Sequence, residues 1–136
     1  MNKFGEIVPI LNVNDFAASM EYYVNKLGFE RKWDWGEPPT FGCVQRGDAA
    51  IFLCQGYQGK PGMWMQIFLN DVDELYEEYK KSGVIILESP MNFPWNTREM
   101  LVEDLDGHRF RMGSEATGPV DEAVLKGGTL RSQNEI

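Results

Sequence analysis

"PILNVNDFAASMEYYVNKLGFE", residues 9–30, changes its periodicity partway along. Leu11 and Val13 alternate with polar residues, as one face of a half-buried strand does. From Phe16 the apolar residues fall at Met20, Tyr23, Val24 and Leu27, the spacing of a helix with one buried stripe. Asn14 or Asp15 can cap that helix by accepting from its free N–H groups, and Gly28 can take the left-handed conformation that ends it. The stretch reads as a strand running directly into a helix.

"MQIFLNDVDELYEEYKKSGVIIL", residues 65–87, repeats the plan. Met65, Ile67 and Leu69 alternate, Asn70 or Asp71 can cap, Val72, Leu75, Tyr76 and Tyr79 form the stripe, and Gly83 is the stop. Asp15 and Asp71 stand 56 residues apart and Gly28 and Gly83 stand 55, so cap, stripe and stop recur in order at nearly one offset. After each helix come three runs of β character: 29–35, 40–46 and 49–53, then 84–88, 98–103 and 109–112. The chain therefore predicts an α+β fold of two tandem βαβββ modules at 6–56 and 63–113, joined by a linker at 57–62 within "GYQGKPGMW". "GEPPTFG" and "SPMNFPW" read as loops at matching places. The tail, 114–136, is weakly patterned and reads as a short helix or a mobile extension.

Composition narrows the function. Thirteen Lys and Arg against 21 Asp and Glu give a net charge of -8, and the basic residues are scattered, which argues against nucleic acid or anionic membrane as a partner. A cationic or neutral small ligand suits this balance. The longest uninterrupted apolar run, 49–54, is far shorter than the roughly 20 residues a spanning helix needs. No stretch resembles a signal peptide, so a cytoplasmic protein is expected. Cys43 and Cys54 fall on neighbouring predicted strands, where a bridge is geometrically conceivable, but two cysteines at this spacing match no disulfide framework or zinc motif, and reduced structural thiols are expected. No Ser–His–Asp set, phosphate loop or dinucleotide fingerprint is present.

"VPILNVNDFAASMEYYVNKLGFE", "DVDELYEEYKKSGV" and "PWNTREMLVEDLDGHRF" together resemble the vicinal oxygen chelate superfamily, which includes glyoxalase I, extradiol dioxygenases and bleomycin resistance proteins. Pro9 before Leu11, and the "PW..RE" ahead of the last hairpin, are most similar to the bleomycin resistance branch. The resemblance covers roughly residues 6–113 and implies curled mixed sheets forming a cup that holds the ligand, with a homodimer as the assembly. It places the metal positions of the enzymes at Val8, Phe52, Trp64 and Arg111, none of which can ligate a divalent cation, so no metal and no cofactor is expected. The only histidine, His108, follows the hairpin-turn sequence "DLDG" and is expected at the edge of that turn rather than on a metal.

Strand alternation assigns the faces. With Leu11, Val13, Met65, Ile67 and Leu69 beneath the helices, Val8, Ile10, Asn12, Trp64, Gln66 and Phe68 face the cup, and Arg109 and Arg111 face inward while Phe110 and Met112 pack on the helix side. Trp33 and Trp35 share a strand face, Phe41 follows the proline-rich loop, and Trp95 stands at the rim. Arg98 and Glu99 are expected to pair with one another or with the turn, and Arg111 requires a carboxylate such as Glu99 or Glu103, or an anionic ligand group. The expected ligand residues are thus Trp33, Trp35, Phe41, Phe52, Trp64, Gln66, Trp95, Glu99, Arg109 and Arg111, with no catalytic residue among them. The expected function is metal-independent binding of a small planar or aromatic molecule, such as a bleomycin-like antibiotic, which is held and not converted. The rivals are a metal-dependent lyase, isomerase or dioxygenase using Gln66, Glu99, Glu103 or His108, and a scaffold whose cup is filled by its own side chains.

Overall fold

The structure, a computed structural model, describes residues 1–131; the last five residues of the tail, 132–136, lie outside the described residues. It divides into two units. Unit 1 comprises Met1–Met63 with Asp104–His108, and unit 2 comprises Trp64–Glu103 with the chain from Arg109 on. The strand–helix–three-strand module is found in each. In unit 1, β1 (Ile10–Val13) leads to α1 (Phe16–Glu21) and then β2 (Glu30–Gly36), β3 (Pro39–Arg46) and β4 (Ala49–Gln55). These make a four-stranded sheet in the order β1-β4-β3-β2, with β1 parallel to β4 and the other pairs antiparallel. Unit 2 repeats this with β5 (Trp64–Phe68), α2 (Val72–Ser82), β6 (Ile85–Asn92), β7 (Thr97–Glu103) and β8 (Arg109–Glu115), in the order β5-β8-β7-β6.

The two helices begin by the same device. Asp15 Oδ1 accepts from Ala18 N at 3.1 Å and Asp71 Oδ1 from Glu74 N at 3.1 Å, so each aspartate is the cap. A second side chain from the end of the parallel strand takes another free amide: Gln55 Oε1 accepts from Phe16 N at 2.7 Å, and Ser114 Oγ accepts from Val72 N at 3.0 Å. Both helices stop at a left-handed glycine but reach it differently. Gly83 closes α2 at φ 85°, whereas α1 first widens into a π-helical turn over Tyr22–Lys26, where Leu27 N reaches Tyr22 O, before Gly28 at φ 79°. Beneath α1 lie Leu11, Val13 and Leu53, all fully buried, and each burial contributes about 1.5–3 kcal/mol. Gly42 lets Phe16 settle on the sheet, since a Cβ there would come within 2.8 Å of the ring. No helix among the described residues is long and apolar enough to cross a membrane.

Several sequence expectations are corrected. "SPMNFPW" is not all loop: β6 runs on to Asn92 across a register shift, leaving Phe93–Asn96 as the turn. "GEPPTFG" is mostly strand, with only residues 37 and 38 outside β2 and β3. In the tail, β8 extends to Glu115 and one short helix, α3 (Glu122–Leu125), follows. Arg98 pairs with Asp73 of α2 and not with Glu99.

His108 stands at the edge of the hairpin turn, as expected, with Asp104 N donating to its carbonyl at 3.0 Å; what the turn sequence does not show is the place of its ring. It is fully buried, belonging with its turn to unit 1: Nδ1 accepts from Met63 N at 3.1 Å, and Nε2 donates to Asn12 O at 2.7 Å. Asp104 organises the same turn, one oxygen accepting from the amides of Asp106 and His108 and the other from the Tyr23 hydroxyl at 2.7 Å. Burial pushes the Asp104 carboxyl up, against the opposing pull of the Tyr23 hydrogen bond. Replacing the buried imidazole leaves a cavity and takes the partner from a part-buried amide and a part-buried carbonyl, so His108→Ala is expected to cost about 2–3 kcal/mol in urea unfolding. A loss under 0.5 kcal/mol would show the ring to be dispensable.

Candidate functional site

The face of each sheet that turns away from its helix carries the candidate residues. In unit 1, register places Trp33 against Cys43, Trp35 against Phe41, and Cys43 against Phe52, so these side chains share one face while Gly42, Val44 and Leu53 take the other. Trp33, Phe41 and Phe52 form a triangle with ring centroids 5.0–5.6 Å apart, tilted or edge-on to one another. Mutual packing fixes the rings, yet Trp33 remains 43% exposed and Trp35 68% exposed. Such a surface offers flat apolar area and no charge. Cys43 and Cys54 lie on this face as buried free thiols. A separate open cleft of about 540 Å³, lined by Phe16, Met20, Val24 and the Pro38–Pro39 pair among others, lies on the helix side.

The corresponding face of unit 2 is built around a carboxylate. Glu99 on β7 is 1% exposed and pairs in register with Gly113 of β8. A Cβ at Gly113 would come within 2.7 Å of the Glu99 side chain, so glycine there allows the glutamate to lie across the sheet. Glu99 Oε2 accepts from Thr97 Oγ1 at 2.7 Å, from Trp95 Nε1 at 3.1 Å and from Arg111 Nη2 at 3.3 Å, while Oε1 accepts from Arg111 Nε at 3.1 Å. Burial opposes the charge, but the hydrogen bonds from Arg111, Thr97 and Trp95 outweigh it and hold the carboxyl below its ordinary value. Arg111 lies 5.3 Å over the Trp95 ring, which stacks on Phe93 at 5.0 Å and 17°. Nearby, Arg109 pairs with Glu103 at 3.1 Å and lies 5.2 Å over Trp64. Gln66, opposite Arg111 in register, has a buried Nε2 without a hydrogen-bond partner.

The ten residues picked from the sequence thus fall into two sets. Trp33, Trp35, Phe41 and Phe52 share the unit 1 face, and Trp64, Gln66, Trp95, Glu99, Arg109 and Arg111 are on unit 2. The sequence reading missed three further residues: Glu88 on β6, Phe93, and Arg131 of the tail, whose guanidinium is 2% exposed between Glu88 and Glu99. Glu88 was legible in principle, because a strand extended through Pro90 places it opposite Leu101. Arg131 had no local signal.

Glu99 is not free for a divalent cation: both of its oxygens are engaged, and Arg111 holds a fixed positive charge against them. Among the described residues no group of three His, Cys, Asp or Glu is placed to hold an ion.

Glu99 gives a signed prediction. With its folded pKa lowered, its stabilisation is full above the ordinary carboxylate value and is lost as pH falls through the lower folded value. Glu99→Gln should therefore cost about 2–3 kcal/mol at pH 7, towards the low end for a broken buried pair because Arg111 is 32% exposed, and the gap to wild type should close only as pH falls below the ordinary carboxylate range. Denaturant unfolding at several pH values reads this directly, and a gap that persists or grows in acid would contradict it.

Comparison with known proteins agrees with this architecture. The chain is similar to a bleomycin-binding protein from bleomycin-producing Streptomyces verticillus, solved with copper(II)-bleomycin, at 25% identity and TM-score 0.70 over 85% of this chain and 100% of that one. A bleomycin resistance determinant encoded on transposon Tn5 shares the fold at 21% identity and TM-score 0.70, over 82% and 98% of the two chains. A superfamily member from Sphaerobacter thermophilus is 28% identical with TM-score 0.67, over 82% and 98%. No curated protein sequence matches significantly. Residues 3–112 match the family model described as Glyoxalase/Bleomycin resistance protein/Dioxygenase superfamily, and the chain belongs to that superfamily.

Proposed function

We propose that the protein binds a planar, partly aromatic small molecule on these open faces and holds it without a metal and without chemical conversion. The observation that carries this reading is the Trp33–Phe41–Phe52 triangle, whose rings are fixed by one another and still present exposed area. A flat ligand laid on such rings gains burial at low entropic cost, with about 0.5–1.5 kcal/mol more for each well-stacked ring. Unit 2, taken by itself, offers a second flat surface in Trp64 and Trp95, each with a guanidinium held over it by a glutamate, which suits a ligand that carries carbonyl or carboxylate oxygens.

The superfamily includes both binders and enzymes, and the likeness to the copper(II)-bleomycin complex of the Streptomyces verticillus protein favours a binder of the antibiotic-sequestering kind. Glu99, the acid most central to the face, is committed to Arg111 and is not free to act as a base or a ligand. The reading includes a cytoplasmic homodimer, in which exposed apolar groups such as Phe4, Ile7 and Phe68 would be covered.

Isothermal titration of chelator-treated protein with metal-free bleomycin, copper(II)-bleomycin and a panel of planar aromatic antibiotics tests the proposal. At least one compound should bind with micromolar or tighter affinity, and Trp33→Ala should weaken it by about 10- to 30-fold, as for a central aromatic anchor. Absence of binding across the panel, or stoichiometric Ni, Zn, Fe or Mn in protein purified without chelator, would overturn it.

A further inference from the structure

The segment after β8 returns to the sheet. Arg131, 16 residues beyond β8, lies with its guanidinium between two glutamates: Nη1 is 2.5 Å from Glu88 Oε1 and Nε is 3.3 Å from Glu99 Oε1. Its charge centre is 4.6 Å over the Phe93 ring, and Leu130 N donates to Glu88 Oε2 at 2.7 Å. The side chain is 2% exposed, yet Nε and Nη2 make no hydrogen bond. A guanidinium gathered for its own sake would satisfy its fork of donors; this one makes a single hydrogen bond, from Nη1 to Glu88, and is otherwise held by charge and by an aromatic ring, with Nη2 unused. Charge counting points the same way. Glu88 and Glu99 face Arg111 and Arg131, so removal of Arg131 leaves this cluster with one negative charge in excess.

We propose that Glu88, Glu99 and Phe93 form an acceptor for the guanidinium or amidinium group of a ligand, and that Arg131 occupies this acceptor as an intramolecular stand-in. The inference rests on the small-molecule reading and narrows it to flat ligands with a cationic head. Binding then requires Arg131 to leave, so affinity for such ligands is set by competition with the protein's own arginine. An uncharged planar ligand does not engage the acceptor and is indifferent to Arg131.

The experiment uses the full chain and two probes of like shape, phenylguanidine and the uncharged phenylurea, titrated calorimetrically into wild type, Arg131→Met, Arg131→Lys and the double variant Arg131→Met/Glu88→Gln. Phenylguanidine should bind Arg131→Met at least 10-fold more tightly than wild type, and phenylurea should not distinguish them. Arg131→Lys, which retains a competing cation, should stay within about three-fold of wild type, and the double variant should lose the gain. Equal binding of phenylguanidine by wild type and Arg131→Met overturns the proposal. Should Arg131→Met be too unstable to titrate, 20 mM guanidinium chloride should raise its melting temperature where 20 mM sodium chloride does not; equal effects of the two salts overturn the proposal as well. The two readings fail separately. Antibiotics that bind wild type with no gain for phenylguanidine in Arg131→Met leave the binding role standing and remove the stand-in, while the reverse pattern leaves the acceptor and removes the antibiotic.

Discussion

A carboxylate withdrawn from water stays ionised only where donors and positive charge replace the water it has lost, and Glu99 meets that condition with a hydroxyl, an indole N–H and the Arg111 guanidinium. The rest of the unit 2 face follows from it. Gly113 must lack a side chain for the glutamate to lie flat, Arg111 is held over Trp95, and Trp95 is turned so that its N–H points back at the acid. The tail arginine completes the balance. Arg111 over Trp95 and Arg131 over Phe93 restrict the two stacked rings, so the ion pairs and the aromatic surface are ordered together.

The two modules share a scaffold and differ in chemistry. On the helix side the likeness is close: aspartate caps at Asp15 and Asp71, and a second cap from Gln55 or Ser114 at the end of the parallel strand. On the opposite side, Phe52 stands three residues before Gln55 as Arg111 stands three before Ser114, and the two positions could hardly differ more. One face is uncharged and aromatic; the other is ionic and aromatic. Packing against a helix constrains volume and polarity tightly, whereas the open face is free to change, so duplicated modules diverge there first.

The sequence was informative where structure is local. Periodicity, aspartate caps and terminating glycines placed both strand–helix units and the three strands after each, and alternation put Gln66 and Arg111 on one face, where the register has them side by side, while Phe52 was placed through the family resemblance. It also required a carboxylate for Arg111 from a short list that held Glu99. What escaped was long-range. His108 looks like a turn residue from its neighbours, and nothing in "DLDGH" reveals that Asn12 and Met63 wait for it. Arg131 lies in a weakly patterned tail, 43 residues from Glu88, and charge alone cannot choose among thirteen basic residues. The π-helical turn after α1 was hidden because its residues have the same apolar stripe a regular helix would show.

The claim that Glu99 is an ionised acid held by guanidinium, and not a ligand awaiting an ion, is tested most directly by carbon-13 NMR titration of its side-chain carboxyl in the uniformly labelled, chelator-treated protein. The account predicts a carboxyl that remains deprotonated below the ordinary glutamate range and whose shift does not move on addition of zinc or manganese. Protonation at or above the ordinary value, or a shift that titrates with either metal, would contradict it.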